Sequence, residues 1–445
     1  MMKQNFDIVI IGGGLAGLSC GIVAAKKGKR CAIISTGESA LSFSSGSFDL
    51  LGGLSDGELL AAVNGLPANH PYKKLCAAEE NFESHVWRAE NFLNMAGVSM
   101  NGGYKKPHYR VTPVGNFAKT WLSAQGLLTL ENENVLPFKS AAIFSPAGLL
   151  DFYPTFVAEQ LNGKCVTTEK FTFYLKDKKP LGRTPFSLLV GRGLSSSLRR
   201  KRSPVEMRSV NMAELFDRNI STLAKIINRQ KSKSEVILIP ALIGLFDVLK
   251  SKVKKPLYMI ATMPPSVPGI AIANTLKKAF LTAGGTLIEN KEVIGSTLNG
   301  QKVEGVQYAD GAVFADKFVL ATGGFFSKGL KSTLDTVKES IFDLDISFGG
   351  VSSFDGVSSF DGVSSALTVS LLPEREQWFS KKVLDPQPYM KFGIRTDNNF
   401  KAIKNGTLLE NLYVIGAGLE GFDALEEGCG AGVSLLTGLC VGERL

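Results

Sequence analysis

No Cys-x-x-Cys pair occurs in these 445 residues, and the six cysteines, Cys20, Cys31, Cys76, Cys165, Cys429 and Cys440, are scattered. Histidine is scarce too, with only His70, His85 and His108. Without Cys/His clusters at ligand spacing, neither a zinc site nor an iron–sulfur cluster is expected, and no metal-binding residue is assigned. Isolated thiols fit a reducing compartment. No apolar run reaches the ~18 residues that a membrane span requires. The stretch from Ile8 to Ala25 imitates a signal peptide, but Asp7 precedes it, five glycines interrupt it and Lys26-Lys27 follow it. A leader is therefore not expected, and the sequence predicts a cytoplasmic chain with at most peripheral membrane contact.

A general excess of positive charge is also missing. The formal charge is +9, yet nine Lys and Arg against one Asp between Lys176 and Pro204 supply +8 of it. The remainder is near neutral, which argues against a nucleic-acid binder. The basic stretch also holds Gly191, Gly193 and Ser195-Ser196-Ser197, and reads as a loop over 176–204. A second irregular segment, 346–384, contains FGGVSS-FDGVSS-FDGVSS. Units of six residues are too short to build a repeat architecture.

Glycine is abundant: 47 of 445 residues exceeds the typical ~7%. Its placement is informative. Phe6–Ile11 is a short β-branched run that stops at Gly12-Gly13-Gly14, Leu15–Lys27 has helical apolar spacing, and Lys29–Ser35 returns to a strand. Strand, glycine turn, helix and strand make a βαβ unit with parallel strands. Further strands are expected at Glu235–Pro240, Pro256–Ala261, Thr286–Glu289 and Lys317–Leu320, with a helix at Gly269–Ala283 and a hairpin around Asn299-Gly300. The class is α/β.

Gly12, Gly14 and Gly17 supply G-x-G-x-x-G between that first strand and helix, with Gly13 and Ala16 beside them. One glycine makes the turn, the next admits a phosphate, and the third lets helix pack on strand. Free N–H groups and the helix dipole then face the anion. An acidic residue is expected about 20 positions on to hold an adenosine ribose. Here the strand ends in Ser35-Thr36, and the nearest acid, Glu38, lies 21 residues past Gly17. That departure favours FMN, with FAD as the alternative. The serine-rich loop that follows offers Ser44, Ser45 and Gly46 to a flavin. Two later strand ends join the set, at Thr322-Gly323 and Gly416, and a glycine-rich connection brings Gly428 and Gly430 to the start of a last apolar helix.

Taken in order, these segments resemble the flavin-binding scheme of the succinate dehydrogenase/fumarate reductase class. At finer grain the chain resembles the B-subunit family of anaerobic glycerol-3-phosphate dehydrogenase. The residues that carry this are VIIGGGLAGLSCGIVAAKKGKRCAIIS with ESALSFSSGSFDLL, His108–Pro113 with Thr120-Trp121-Leu122, Thr262–Val267, Ala321–Ser327 and the Gly428-Cys429-Gly430 end. The match spans nearly the whole chain and fails at 176–204 and around 348–378. The resemblance implies a Rossmann-like flavin-binding domain, discontinuous over 1–70, 285–345 and 385–445. It also implies an inserted cap or substrate domain over 71–284. It further implies oxidation of sn-glycerol 3-phosphate to dihydroxyacetone phosphate, with electrons passed to a membrane quinone and on to fumarate or nitrate. The implied partners are a catalytic A subunit and a membrane-anchoring iron–sulfur C subunit, on the inner face of the cytoplasmic membrane. Oxidising a secondary alcohol needs a base, and a phosphate needs cations, so His108, Arg110 and Arg395 are the candidates by residue type. Two other readings stay open: a non-catalytic flavin relay or scaffold subunit, and an unrelated FAD-dependent oxidoreductase.

Overall fold

The computed structural model describes residues 4–52, 59–77, 81–133, 135–175, 206–348 and 374–445. All of the basic loop 176–204 and most of the segment 346–384 with its six-residue repeat lie outside the described residues.

The β-branched run at the start forms strand β1, Gln4–Ile11, with Ile8 to Ile11 fully buried. It sits in the middle of an eight-stranded sheet and pairs in parallel with β2, Cys31–Ser35, on one side and with strand Gly311–Leu320 on the other. Strand Thr286–Glu289 extends the sheet beyond β2, and strand Thr407–Val414 pairs with the end of Gly311–Leu320. The strands Val293–Asn299 and Lys302–Tyr308 form the hairpin expected around Asn299-Gly300 and join antiparallel, so the sheet is mixed. Register matters most. Ile11 lies opposite both Ile34 and Leu320, and Leu320 lies opposite Val414. Four parallel strands therefore end level, and four turns leave the same edge.

Helix α1, Leu15–Lys26, is apolar on almost every side because it is packed on every side. It lies between the sheet, helix Val267–Thr282 and the C-terminal helix Gly430–Arg444. The last contact is close enough to need glycine. A Cβ at Gly438 would stand 2.5 Å from the Ala16 carbonyl oxygen, and one at Gly442 would stand 2.8 Å from that of Cys20.

A second, wholly parallel sheet runs in the order Thr167–Phe173, Ser140–Pro146, Val236–Pro240, Leu257–Ile260. Apolar clusters cover both of its faces, which explains why its strands read as continuous hydrophobic runs. Among the described residues, two small three-stranded sheets, built from short strands between Ser47 and Leu130, and two short strand pairs accompany the two larger sheets.

Candidate cofactor site

A cavity of about 590 Å³ opens at the edge where the parallel strands end. Each glycine of the first turn has a different task there. Gly12 has φ +119°, and a Cβ on it would lie 2.1 Å from the Ala321 carbonyl oxygen, so this residue lets two strand ends come together. Gly17 would place a Cβ 2.0 Å from the Gly12 carbonyl, which is the helix-to-strand approach. Gly14 is different: its Cβ would meet only Ser39 Cβ, at 3.9 Å. Its open side is the cavity. No side chain caps α1, and its first turn holds no acid, so the N–H groups and positive dipole end are free for an anion.

A second helix start reaches the same cavity. Helix Gly430–Arg444 also lacks a side-chain cap, and Gly430, Ala431 and Ser434 line the wall. This end is fixed by long-range polar contacts. The Tyr72 hydroxyl donates to the carbonyls of Leu50, at 2.5 Å, and Cys429, at 3.4 Å. The buried Lys74 ammonium bonds Glu420 at 3.0 Å and both oxygens of Thr396. His70 meets Glu427 at 3.0 Å. Burial pushes the Glu427 carboxyl up, but hydrogen bonds from His70 and the Asp423 amide outweigh it and hold the group below its ordinary value.

His70, Glu427 and Cys429 have ligand atoms within 4.8 Å of one another, the spacing of a metal site. The histidine decides against that role. Its Nδ1 accepts the Tyr72 N–H at 3.0 Å, so the proton of the neutral ring sits on Nε2 and is donated to Glu427. No lone pair remains for a cation.

Of the residues expected from the sequence to meet a cofactor, Gly12, Gly13, Gly14, Ala16, Ser35, Thr36, Ser44, Thr322, Gly323, Gly416 and Gly430 line the cavity. Gly17, Ser45, Gly46 and Gly428 do not. Gly46 turns against Pro268, where a Cβ would come within 2.6 Å, and Gly428 turns against Gly52. Ser39, Phe43 and Ser47, from the serine-rich loop expected to face the flavin, also form the wall, as do Lys291, Phe326 and Lys331, which the sequence reading did not single out. Phe43 and Phe326 meet edge to face with centroids 5.1 Å apart. For Phe326 the available signal was position, after the glycine turn that ends strand Gly311–Leu320.

The cavity continues past the end of β2. Strand Thr286–Glu289 pairs with β2 so that Glu289 lies opposite Ser35, and the turn after it brings Lys291, Glu292 and Val293 to the wall. Val293 and Ile341 give an apolar lining there, and Glu38 accepts a hydrogen bond from Ser42 at 2.9 Å. Two helix ends without side-chain caps, an open Gly14 and this extension suit a long dinucleotide with a diphosphate at its centre.

The candidates for substrate chemistry stand elsewhere. His108 is buried, and its Nε2 lies 2.7 Å from Ser123 Oγ. Burial, reinforced by Arg110, lowers its pKa to about 4, so the ring is neutral at pH 7. Arg110 bonds Thr120 at 2.9 Å and faces Asp49 at 3.5 Å. Asp49 and Thr120 line a second cavity of about 300 Å³, and burial raises the Asp49 carboxyl despite Arg110. Arg395 is partly buried and lines neither cavity.

Compared with known families, the chain matches the FAD binding domain family over residues 7–433. It is 37% identical over 459 aligned positions to the B subunit of anaerobic glycerol-3-phosphate dehydrogenase from Yersinia enterocolitica, covering 99% of this chain and 98% of that one. The protein of the same description from Pectobacterium atrosepticum is 34% identical and covers 99% of each chain. Among solved structures, an E. coli quinol fumarate reductase aligns with a TM-score of 0.41 and 11% identity, over 100% of this chain and 70% of that one. The family corrects one expectation. FMN, favoured because β2 ends in Ser35-Thr36, is not supported; the cofactor of the matching family is FAD. The missing acid misled because a ribose can also be met by residues beyond the strand, and Glu38 stands at that wall.

Proposed function

The chain belongs to the FAD binding domain family and, within it, to the B-subunit proteins of anaerobic glycerol-3-phosphate dehydrogenase, a group of flavin oxidoreductases, and from that premise we propose that it is the FAD-holding B subunit of such a complex. The reaction is oxidation of sn-glycerol 3-phosphate to dihydroxyacetone phosphate, with electrons delivered to a membrane quinone and then to fumarate or nitrate. One observation carries this reading: two helix N-termini without side-chain caps meet at a single cavity on the level edge where parallel strands end. The N–H groups after Gly13 and Gly14 hold the diphosphate, and Ser35, Thr36 and Glu38 face the ribose. Ser44, Thr322, Gly323, Gly416 and Gly430 hold the ring end, as in the succinate dehydrogenase/fumarate reductase class. Bound there, the flavin supplies a two-electron acceptor for the alcohol carbon.

Residues 71–284 act as a cap over a flavin domain made of 1–70, 285–345 and 385–445. The A subunit and an iron–sulfur C subunit complete the assembly, and the latter draws it to the inner face of the cytoplasmic membrane. No helix among the described residues is long and apolar enough to cross a membrane, so that attachment would be through a partner. His108, Arg110 and Arg395 line the cofactor cavity in no case. This favours a second reading, in which the alcohol is oxidised on the A subunit and this chain relays electrons. Denaturing the purified A/B dimer and weighing the released flavin tests the cofactor, and intact FAD at one per chain is the expected result. Reduction of that flavin by glycerol 3-phosphate with the A subunit present but not without it would select the relay, whereas reduction of the isolated chain would select direct oxidation.

A further inference from the structure

Three buried polar groups lead away from the cofactor cavity. Ser47 lines the cavity, and its Oγ lies 2.9 Å from Ser123 Oγ. Ser123 Oγ in turn lies 2.7 Å from His108 Nε2. Their residue exposures are 8%, 0% and 7%, so bulk water does not compete along the file. Such groups are costly to bury and stay only when each is satisfied. The fold makes room for them. Ser47 and Ser123 lie directly opposite each other in an antiparallel pair, and the next strand passes the imidazole at Gly102, where a Cβ would stand 2.6 Å from His108 Nδ1.

We propose that Ser47, Ser123 and His108 form a proton relay between the cofactor cavity and the buried imidazole. His108 is thus a positioning and proton-holding residue that acts through the two serines. The inference rests on reading the cavity as the flavin site. A serine hydroxyl has one proton, so the file points one way at a time. When a cavity group accepts from Ser47, Ser47 accepts from Ser123 and Ser123 accepts from an Nε2–H. When a cavity group donates to Ser47, every bond reverses and Nε2 becomes the bare acceptor. A proton entering at Ser47 Oγ breaks the two serine O–H bonds in turn, forms two new ones and ends as Nε2–H, which turns the Nδ1-protonated ring into an imidazolium until the file runs back and returns the proton; no electron moves along the file. Burial keeps the resting ring neutral, and Arg110, itself held by Asp49, is the charged group facing His108 and reinforces this.

The chain has three histidines, so nitrogen-15 labelling of histidine gives a spectrum simple enough to read in the full-length, FAD-loaded protein. Chemical reduction by dithionite turns the flavin from a hydrogen-bond acceptor into a donor, with no substrate needed. The expected result is that His108 Nε2 changes between protonated and bare on reduction. Ser123→Ala should lose this change while retaining flavin, and Ser123→Thr should restore it. Should the buried Ser123→Ala protein not fold, Ser47→Ala cuts the same file at its cavity end and should give the same loss. An Nε2 signal that is the same in both redox states, or that still switches in a flavin-loaded cut variant, overturns the relay alone. A folded wild-type chain that takes up no flavin overturns the cofactor reading and the relay with it.

Discussion

The two helix starts that meet at the cavity are held there by different means. The start of α1 is fixed locally: strand, turn and helix are contiguous, and three glycines set the path by what they leave out. The start of helix Gly430–Arg444 is fixed from afar, by Tyr72, Lys74 and His70 on a short helix more than 350 residues earlier in the chain. One end is written as absent Cβ atoms and the other as polar contacts. A cradle made by omission fails by crowding, while one made by clamps fails by leaving charges alone. The two can therefore be broken separately.

The largest effect should come from the clamp. Lys74→Met leaves the Glu420 carboxylate buried without its cation and should cost about 3–5 kcal/mol in denaturant unfolding. Adding Glu420→Leu should recover most of it. A loss below about 1 kcal/mol in the single variant would mean the clamp does not hold the C-terminal helix.

Next comes crowding on the other side. Gly12→Ala combines φ +119° with a carbonyl oxygen 2.1 Å from the new Cβ, and should cost about 2–4 kcal/mol, read as a lowered Tm. An unchanged Tm would show that the two strand ends can part freely.

A third test uses pH. The folded pKa of His108 is lowered from 6.5 to about 4, so the unfolded chain binds more protons between those values. Stability contributed by the neutral ring is fully present above pH 6.5, falls as pH drops towards 4, and is constant below. The loss should be on the order of 1–3 kcal/mol. Urea unfolding of the wild type at pH 7 and pH 4.5, against His108→Gln, checks it: the variant should lack this component of the slope.

The smallest stability effect belongs to Gly14→Val, at under about 1 kcal/mol, because φ is −82° and the nearest atom to the new Cβ is 3.9 Å away. Flavin should be lost all the same, since the side chain fills the anion's place. Full flavin occupancy in this variant would move the diphosphate elsewhere.

Residue patterns near in sequence were legible. The βαβ unit, the G-x-G-x-x-G turn, strand Thr286–Glu289 and the Asn299-Gly300 hairpin all followed from periodicity and turn chemistry, and they stand where expected to within two residues, with β1 itself beginning at Gln4. The strand expected at Lys317–Leu320 is the end of a longer one, Gly311–Leu320, because its first half pairs with the hairpin. Ser47 and His108 were each visible by residue type, but not that Ser123 joins them.

What the sequence determined by itself was the α/β class and the G-x-G-x-x-G turn between β1 and α1, because glycine spacing and β-branched runs act over a few residues, while the flavin came from the resemblance of whole segments to a known family. Only the tertiary structure decided which glycines face the cavity, that Gly46 and Gly428 face packed neighbours instead, and that His108 reaches the cavity through two serines. Those outcomes depend on register between strands and on side chains up to hundreds of residues apart, and the sum of such contacts is fixed only when the sheet edge is level and the core is closed.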